Sequence, residues 1–141
     1  MIVRPSKMPI FGKLNLGSLA SIVVYNAPKS FEPELSRLKG ITIERDTKKP
    51  AAVKFSLAFV TTQKELDRLS KLLAAAADGD ALLWFAYPKG TSKRYTCEFN
   101  RDTGWDLLRQ AGFDTVRAVA IDDDWSAIRF RRNEFIKPKS R

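Results

Sequence analysis

Twelve residues suited to binding a ligand interrupt the apolar segments of this chain in four places: Asn26, Lys29 and Ser30; Thr61 and Thr62; Lys89, Thr91, Ser92, Lys93 and Arg101; and Asp122 with Trp125. A lysine and a hydroxyl just ahead of a helix suit a carboxylate or phosphate, because free backbone N–H groups and the helix dipole meet there. A capped helix beside a solvated lysine accounts for the same pair. The stretch Lys89 to Lys93 offers similar donors, without the Gly-x-x-x-x-Gly-Lys-Ser/Thr spacing of a phosphate-cradling loop.

Other chemistry is excluded by residue type. Histidine is absent and Cys97 is the only cysteine among 141 residues. Ser-His-Asp and Cys-His catalysis, histidine-ligated haem, zinc clusters of histidine and cysteine, and internal disulfides are all ruled out. Cys97 has no histidine to activate it and reads as packing. Three consecutive carboxylates, Asp122 to Asp124, cannot all face one ion unaided, so no metal site is expected. No catalytic residue is assigned.

The net charge of +9, from 25 basic and 16 acidic residues, first suggests a polyanionic partner. Its distribution moves that suggestion to the ends. Residues 1 to 19 carry +3 and residues 129 to 141 carry +5, whereas 20 to 128 hold sixteen basic and fifteen acidic residues. A nucleic-acid or acidic-protein partner would thus engage Arg129, Arg131, Arg132, Lys137, Lys139 and Arg141. The hydrophobic share of 44% predicts a packed core, and the length suits one domain. No run reaches the roughly 18 apolar residues of a membrane span, and the N-terminus lacks the apolar core of a secretory signal. A cytoplasmic protein is expected, in keeping with one unpaired cysteine.

The elements that must position these residues follow from hydrophobic pattern. Ser21 to Tyr25 and Ala81 to Tyr87 are short apolar runs of the kind buried on both faces of a parallel sheet, and Val53 to Val60 reads as a third strand. Ile41 to Arg45 alternates. A first helix is expected around Pro33, Leu35 and Leu38, with Ser30 or Glu32 as cap and Gly40 as stop. Thr62 and Glu65 are spaced as a capping box ahead of Leu66, Leu69 and Leu73, a helix ended by Gly79. Thr103 and Asp106 have the same spacing ahead of a helix from Trp105 to Ala111, stopped by Gly112. Thr115 to Ile121 and Ser126 to Arg132 close the chain as a hairpin, with Ile128 and Phe130 inward and Arg129 and Arg131 outward.

The resulting order predicts an α/β fold: a single three-layer Rossmann-like domain with a mostly parallel sheet of about six strands ending in an antiparallel hairpin. It resembles a shortened class I methyltransferase fold, and that resemblance implies the strand order 2-1-3-4-6-5. The loops after strands 1, 3 and 4 and the 122 to 125 turn should meet at one sheet edge, where such folds bind ligands. A basic extension at 1 to 13, the domain at 14 to 132 and a basic tail at 133 to 141 are expected.

From about Met8 onward the chain also resembles a bacterial family of Rossmann-like, methyltransferase-type domains without an established activity. The resemblance is carried by Leu-Asn-Leu at 14 to 16, Asn-Ala-Pro at 26 to 28, Ala-Phe-Val-Thr-Thr at 58 to 62, Trp-Phe-Ala-Tyr-Pro-Lys-Gly-Thr-Ser-Lys at 84 to 93, Asn-Arg-Asp-Thr-Gly-Trp at 100 to 105 and Ile-Asp-Asp-Asp-Trp-Ser-Ala-Ile-Arg-Phe-Arg at 121 to 131. It implies membership and fold. Where class I methyltransferases carry a Gly-x-Gly-x-Gly turn after strand 1, this chain has Asn26-Ala27-Pro28-Lys29-Ser30. Glu44 or Asp46 could supply the acid after strand 2 that binds ribose hydroxyls.

The first functional expectation is a non-catalytic domain that binds a nucleotide-like or anionic metabolite, with no cofactor. One alternative is an S-adenosylmethionine-dependent, methyltransferase-like enzyme with an altered cofactor loop. The other is nucleic-acid or acidic-partner binding through the basic ends.

Overall fold

A computed structural model describes residues 10–136. Six strands form one sheet in the order β2-β1-β3-β4-β6-β5: β1 (Ser21–Tyr25), β2 (Thr42–Arg45), β3 (Val53–Phe59), β4 (Ala77–Pro88), β5 (Phe113–Ala120) and β6 (Trp125–Arg132). β1 pairs in parallel with β2 and with β3, and β3 with β4; β6 runs antiparallel to both β4 and β5. The fold is that of a shortened class I methyltransferase-type domain. The buried stretches Ile22 to Tyr25 of β1, 55–59 of β3 and 83–88 of β4 are explained by helices or loops on both faces of the sheet.

One face is covered by α3 (Gln63–Ala76) and α4 (Asp106–Gln110), which set Leu66, Leu69, Leu73 and Leu108 against Val23, Leu83, Phe85, Ile128 and Phe130. The three α3 leucines are wholly buried, and each contributes about 2 kcal/mol of hydrophobic stabilisation. The other face is covered by α1 (Ile10–Lys13) and α2 (Glu32–Ser36), with Phe11, Leu14, Phe31 and Leu35 against Val24, Phe55, Leu57 and Trp84. Trp84 Nε1 donates to the Leu14 carbonyl at 2.9 Å inside this core.

The N-terminal helix was not anticipated. Ile10 and Phe11 are buried, so packing begins inside the stretch expected to be a basic extension. Four residues carry too little periodicity to signal a helix; the Phe11 ring against Phe31 and Phe55 fixes it instead. Gly79 does not end α3. The helix stops at Ala76 and passes directly into β4, where Gly79 has φ of +60° and the pairing with β3 shifts register. A second register shift lies between Thr115 and Arg117 on the outermost strand, β5.

The C-terminal arginines are engaged within the fold. Arg131 grips Asp80 with two hydrogen bonds of 2.8 and 2.6 Å. Arg132 donates to the Ala77 and Gly79 carbonyls and stacks over the Phe113 ring. The Arg129 side chain, expected to face out, is only 13% exposed and lies 3.8 Å from Asp80. These contacts give Arg129, Arg131 and Arg132 structural work, and phosphate binding through them finds no support. Lys137, Lys139 and Arg141 lie outside the described residues. No described helix is long and apolar enough to cross a membrane.

Candidate functional site

Parallel pairing places the carboxyl ends of β1, β2, β3 and β4 along one edge, and the strand order reverses at β1 and β3. Such a reversal separates the outgoing loops and leaves a crevice. Asn26 leaves β1 with φ of +57° and Asp46 leaves β2 with φ of +52°. The Asn26 backbone N–H donates to Asp46 Oδ1 at 2.9 Å, tying the two loops together. The Asn26 amide group donates to the Phe59 carbonyl at 3.1 Å and to Glu65 Oε2 at 3.0 Å, so one side chain joins β1 to β3 and α3.

The resulting crevice, about 590 Å³, is lined by Asn26, Pro28, Lys29, Phe59, Thr61, Glu65, Tyr95 and Trp125. Its size falls within the range of small-molecule sites. Trp125 packs edge-on against Phe59 and at a tilt against Tyr95, with ring centroids 5.1 and 4.9 Å apart. The Trp125 indole Nε1 is buried without a hydrogen-bond partner among the described residues. Hydrogen bonds from Arg68, then from Asn26, hold the Glu65 carboxyl below its ordinary pKa, so it stays ionised at neutral pH.

The connection from β4 to α4 folds back over this edge. Glu98 anchors it twice, donating its N–H to the Thr61 carbonyl at 3.0 Å and accepting from Gln63 N–H at 2.9 Å at the start of α3. Trp105 Nε1 donates to the Asn100 carbonyl, and Gln63 Nε2 to the Gly104 carbonyl. A second, larger chamber of about 760 Å³ lies under this connection, between Tyr87, Lys89, Ser92, Cys97, Phe99 and Arg101. Tyr95 borders both spaces. Burial raises the pKa of the Tyr87 phenol and of the Cys97 thiol, so both remain protonated.

Of the residues expected from sequence, Asn26, Lys29, Thr61 and Trp125 line the crevice, and Lys89, Thr91, Ser92 and Arg101 line the second chamber. The others stand apart. Ser30 lies exposed in the 3-10 turn before α2, and Lys93 is exposed outside both linings. Thr62 caps α3 by accepting from Glu65 N–H at 3.2 Å. Asp122 accepts from the N–H groups of Asp124 and Trp125, shaping the turn. Phe59, Glu65 and Tyr95 line the crevice unforeseen, and Asp46, one of the two acids expected after strand 2, stands beside it through its bond to Asn26. Asparagine tolerates a left-handed backbone better than most residues, and that was the available signal for the Asn26 turn.

No family model and no curated protein matches the chain. Solved structures do. A SAM-dependent methyltransferase from Aquifex aeolicus is similar over 86% of this chain and 87% of its own, with a TM-score of 0.63 and 13% identity. The N-methyltransferase NodS from Bradyrhizobium japonicum is similar over 87% and 91%, with a TM-score of 0.56 and 11% identity. LepI, solved with SAH and a substrate analogue, is similar over 87% of this chain and 39% of its own, with a TM-score of 0.52 and 11% identity. At such identities the likeness shows the fold.

The expectation of no cofactor is corrected by these likenesses, because the same fold recurs in proteins described as SAM-dependent or solved with SAM or SAH. Without a glycine in this place, the chain still turns left-handed after β1, at Asn26 with φ +57°.

Proposed function

We propose that the crevice binds S-adenosylmethionine and that the domain acts as a methyltransferase of altered loop chemistry, with the adjoining chamber receiving the methyl acceptor. The observation that carries this reading is the Asn26 junction, which reproduces a left-handed turn after β1 and holds the carboxylate of Asp46 beside it. Three features fit the cofactor. Among the described residues only Oδ1 of Asp46 is engaged, which leaves Oδ2 for ribose hydroxyls. The rings of Phe59, Tyr95 and Trp125 suit a cation such as a sulfonium. The unpartnered Trp125 Nε1 is a donor without an assigned role.

When bound, S-adenosylmethionine supplies a methyl group on positively charged sulfur. The chain's own contribution is positioning and exclusion of water. The neutral Cys97 thiol and Tyr87 phenol are poor nucleophiles, which protects the chamber from methylating itself.

Calorimetric titration with S-adenosylmethionine and S-adenosylhomocysteine tests the reading. Saturable binding, weakened by Asp46→Ala with the fold retained by circular dichroism, is the expected result. No heat at millimolar ligand sinks it. The earlier expectation of a non-catalytic metabolite-binding domain shares the crevice, and is favoured instead if the cofactor binds but no methyl acceptor is ever turned over.

A further inference from the structure

We infer that the chamber beneath the β4–α4 connection selects small aromatic carboxylates. The inference deepens the reading of this space as an acceptor site and rests on it for biological meaning, though not for the binding itself.

The argument begins with what lines the space. Tyr87 and Phe99, with ring centroids 6.2 Å apart, and Tyr95 at the border supply aromatic surface, which favours a flat apolar body over a sugar or an extended chain. Lys89 and Arg101 supply positive charge, and neither makes an ion pair among the described residues. Lys89 is held in place, since its backbone N–H donates to the Asp124 carbonyl at 2.8 Å and its body is half-buried. Arg101 acts on the Tyr87 phenol electrostatically, which sets its charge near the aromatic wall.

Glu98 is the carboxylate among the lining residues, and it accepts the Gln63 N–H at the positive end of the fourteen-residue helix α3. Cys97 and Tyr87 stay neutral. A ligand carboxylate therefore meets two cations against this one acid, with the Thr91 hydroxyl as a further donor, while the Ser92 hydroxyl is taken up by Asp124 at 2.9 Å. A neutral aromatic would leave both cations unanswered, and a small aliphatic acid would leave the aromatic wall wet.

The test uses the full chain, without cofactor, titrated separately with benzoate, benzyl alcohol and acetate by calorimetry and by intrinsic fluorescence. Benzoate is expected to bind roughly tenfold or more tightly than either control. Lys89→Met and Arg101→Met should each remove most of that preference, and Lys89→Arg should retain it, all with unchanged thermal midpoints. Equal binding of the three probes, or a benzoate preference untouched by both methionine variants, overturns the inference. A parallel S-adenosylmethionine titration separates the two ideas. Cofactor binding without benzoate preference defeats only the acceptor class, and benzoate preference without cofactor binding defeats only the methyltransferase reading.

Discussion

Asn26 and Asp46, twenty residues apart, both hold left-handed backbone and are joined by a hydrogen bond of 2.9 Å from the Asn26 N–H to Asp46 Oδ1. Each positive φ would be strained alone, and the bond makes the two turns support one another. The loops after β1 and β2 thereby form one rigid corner of the crevice.

Asn26→Ala should destabilise the protein by about 2 kcal/mol, because alanine resists positive φ and the bonds to the Phe59 carbonyl and Glu65 are lost. Asn26→Gly should cost less, since only the side-chain bonds disappear. Urea unfolding of both variants checks the order. An alanine variant no weaker than the glycine one contradicts the backbone argument.

Gly104 governs the second chamber. Its φ is +97°, and a Cβ there would stand 2.7 Å from Phe99 Cβ and 2.8 Å from Gln63 Oε1. Gly104→Ala should therefore cost about 1–3 kcal/mol through strain and overpacking. It should also move the Phe99 ring resonances in an NMR spectrum, whereas Gly90→Ala, with open space around its Cβ position and no positive φ, should leave them in place.

Two carboxylates link stability to acid. Hydrogen bonds from Arg68 to Glu65 and from Arg131 to Asp80 lower both pKa values in the folded state. Groups shifted this way stabilise fully above their unfolded pKa, near 4, and lose that contribution as pH falls through the lower folded value. Unfolding midpoints should drop between about pH 5 and pH 2. In Asp80→Asn the drop should be shallower and the stability at pH 7 lower; an identical acid profile would show that Arg131 contributes nothing through Asp80.

The sheet was legible in the sequence because β1 and residues 81–87 of β4 are continuous apolar runs ended by turn-forming residues, and the order of its strands followed from the resemblance to a methyltransferase-type fold. Local signals beside tertiary contacts misled. Thr62 caps α3 as its spacing implied, but the Glu65 side chain turns to Asn26 and Arg68 instead of completing the box. Thr103 and Asp106 form no capping box either; Thr103 accepts from Asn100 N–H at 3.4 Å, and α4 starts without a side-chain cap. Tyr95 sits in an aperiodic loop, and only the packing of Trp125 against it reveals its place between the two spaces.

The direct passage of α3 into β4 bears on how the chain folds. Three residues separate β3 from α3 and none separates α3 from β4, so closing this β-α-β unit demands little loop entropy. The β2 and β5–β6 pairings then add to a surface already formed. Conservative truncations at Leu66, Leu69 and Leu73 should slow refolding, while truncation of Ile128 in β6 should mainly hasten unfolding. Comparable slowing from both regions in stopped-flow refolding would instead point to a nucleus spread across the whole sheet.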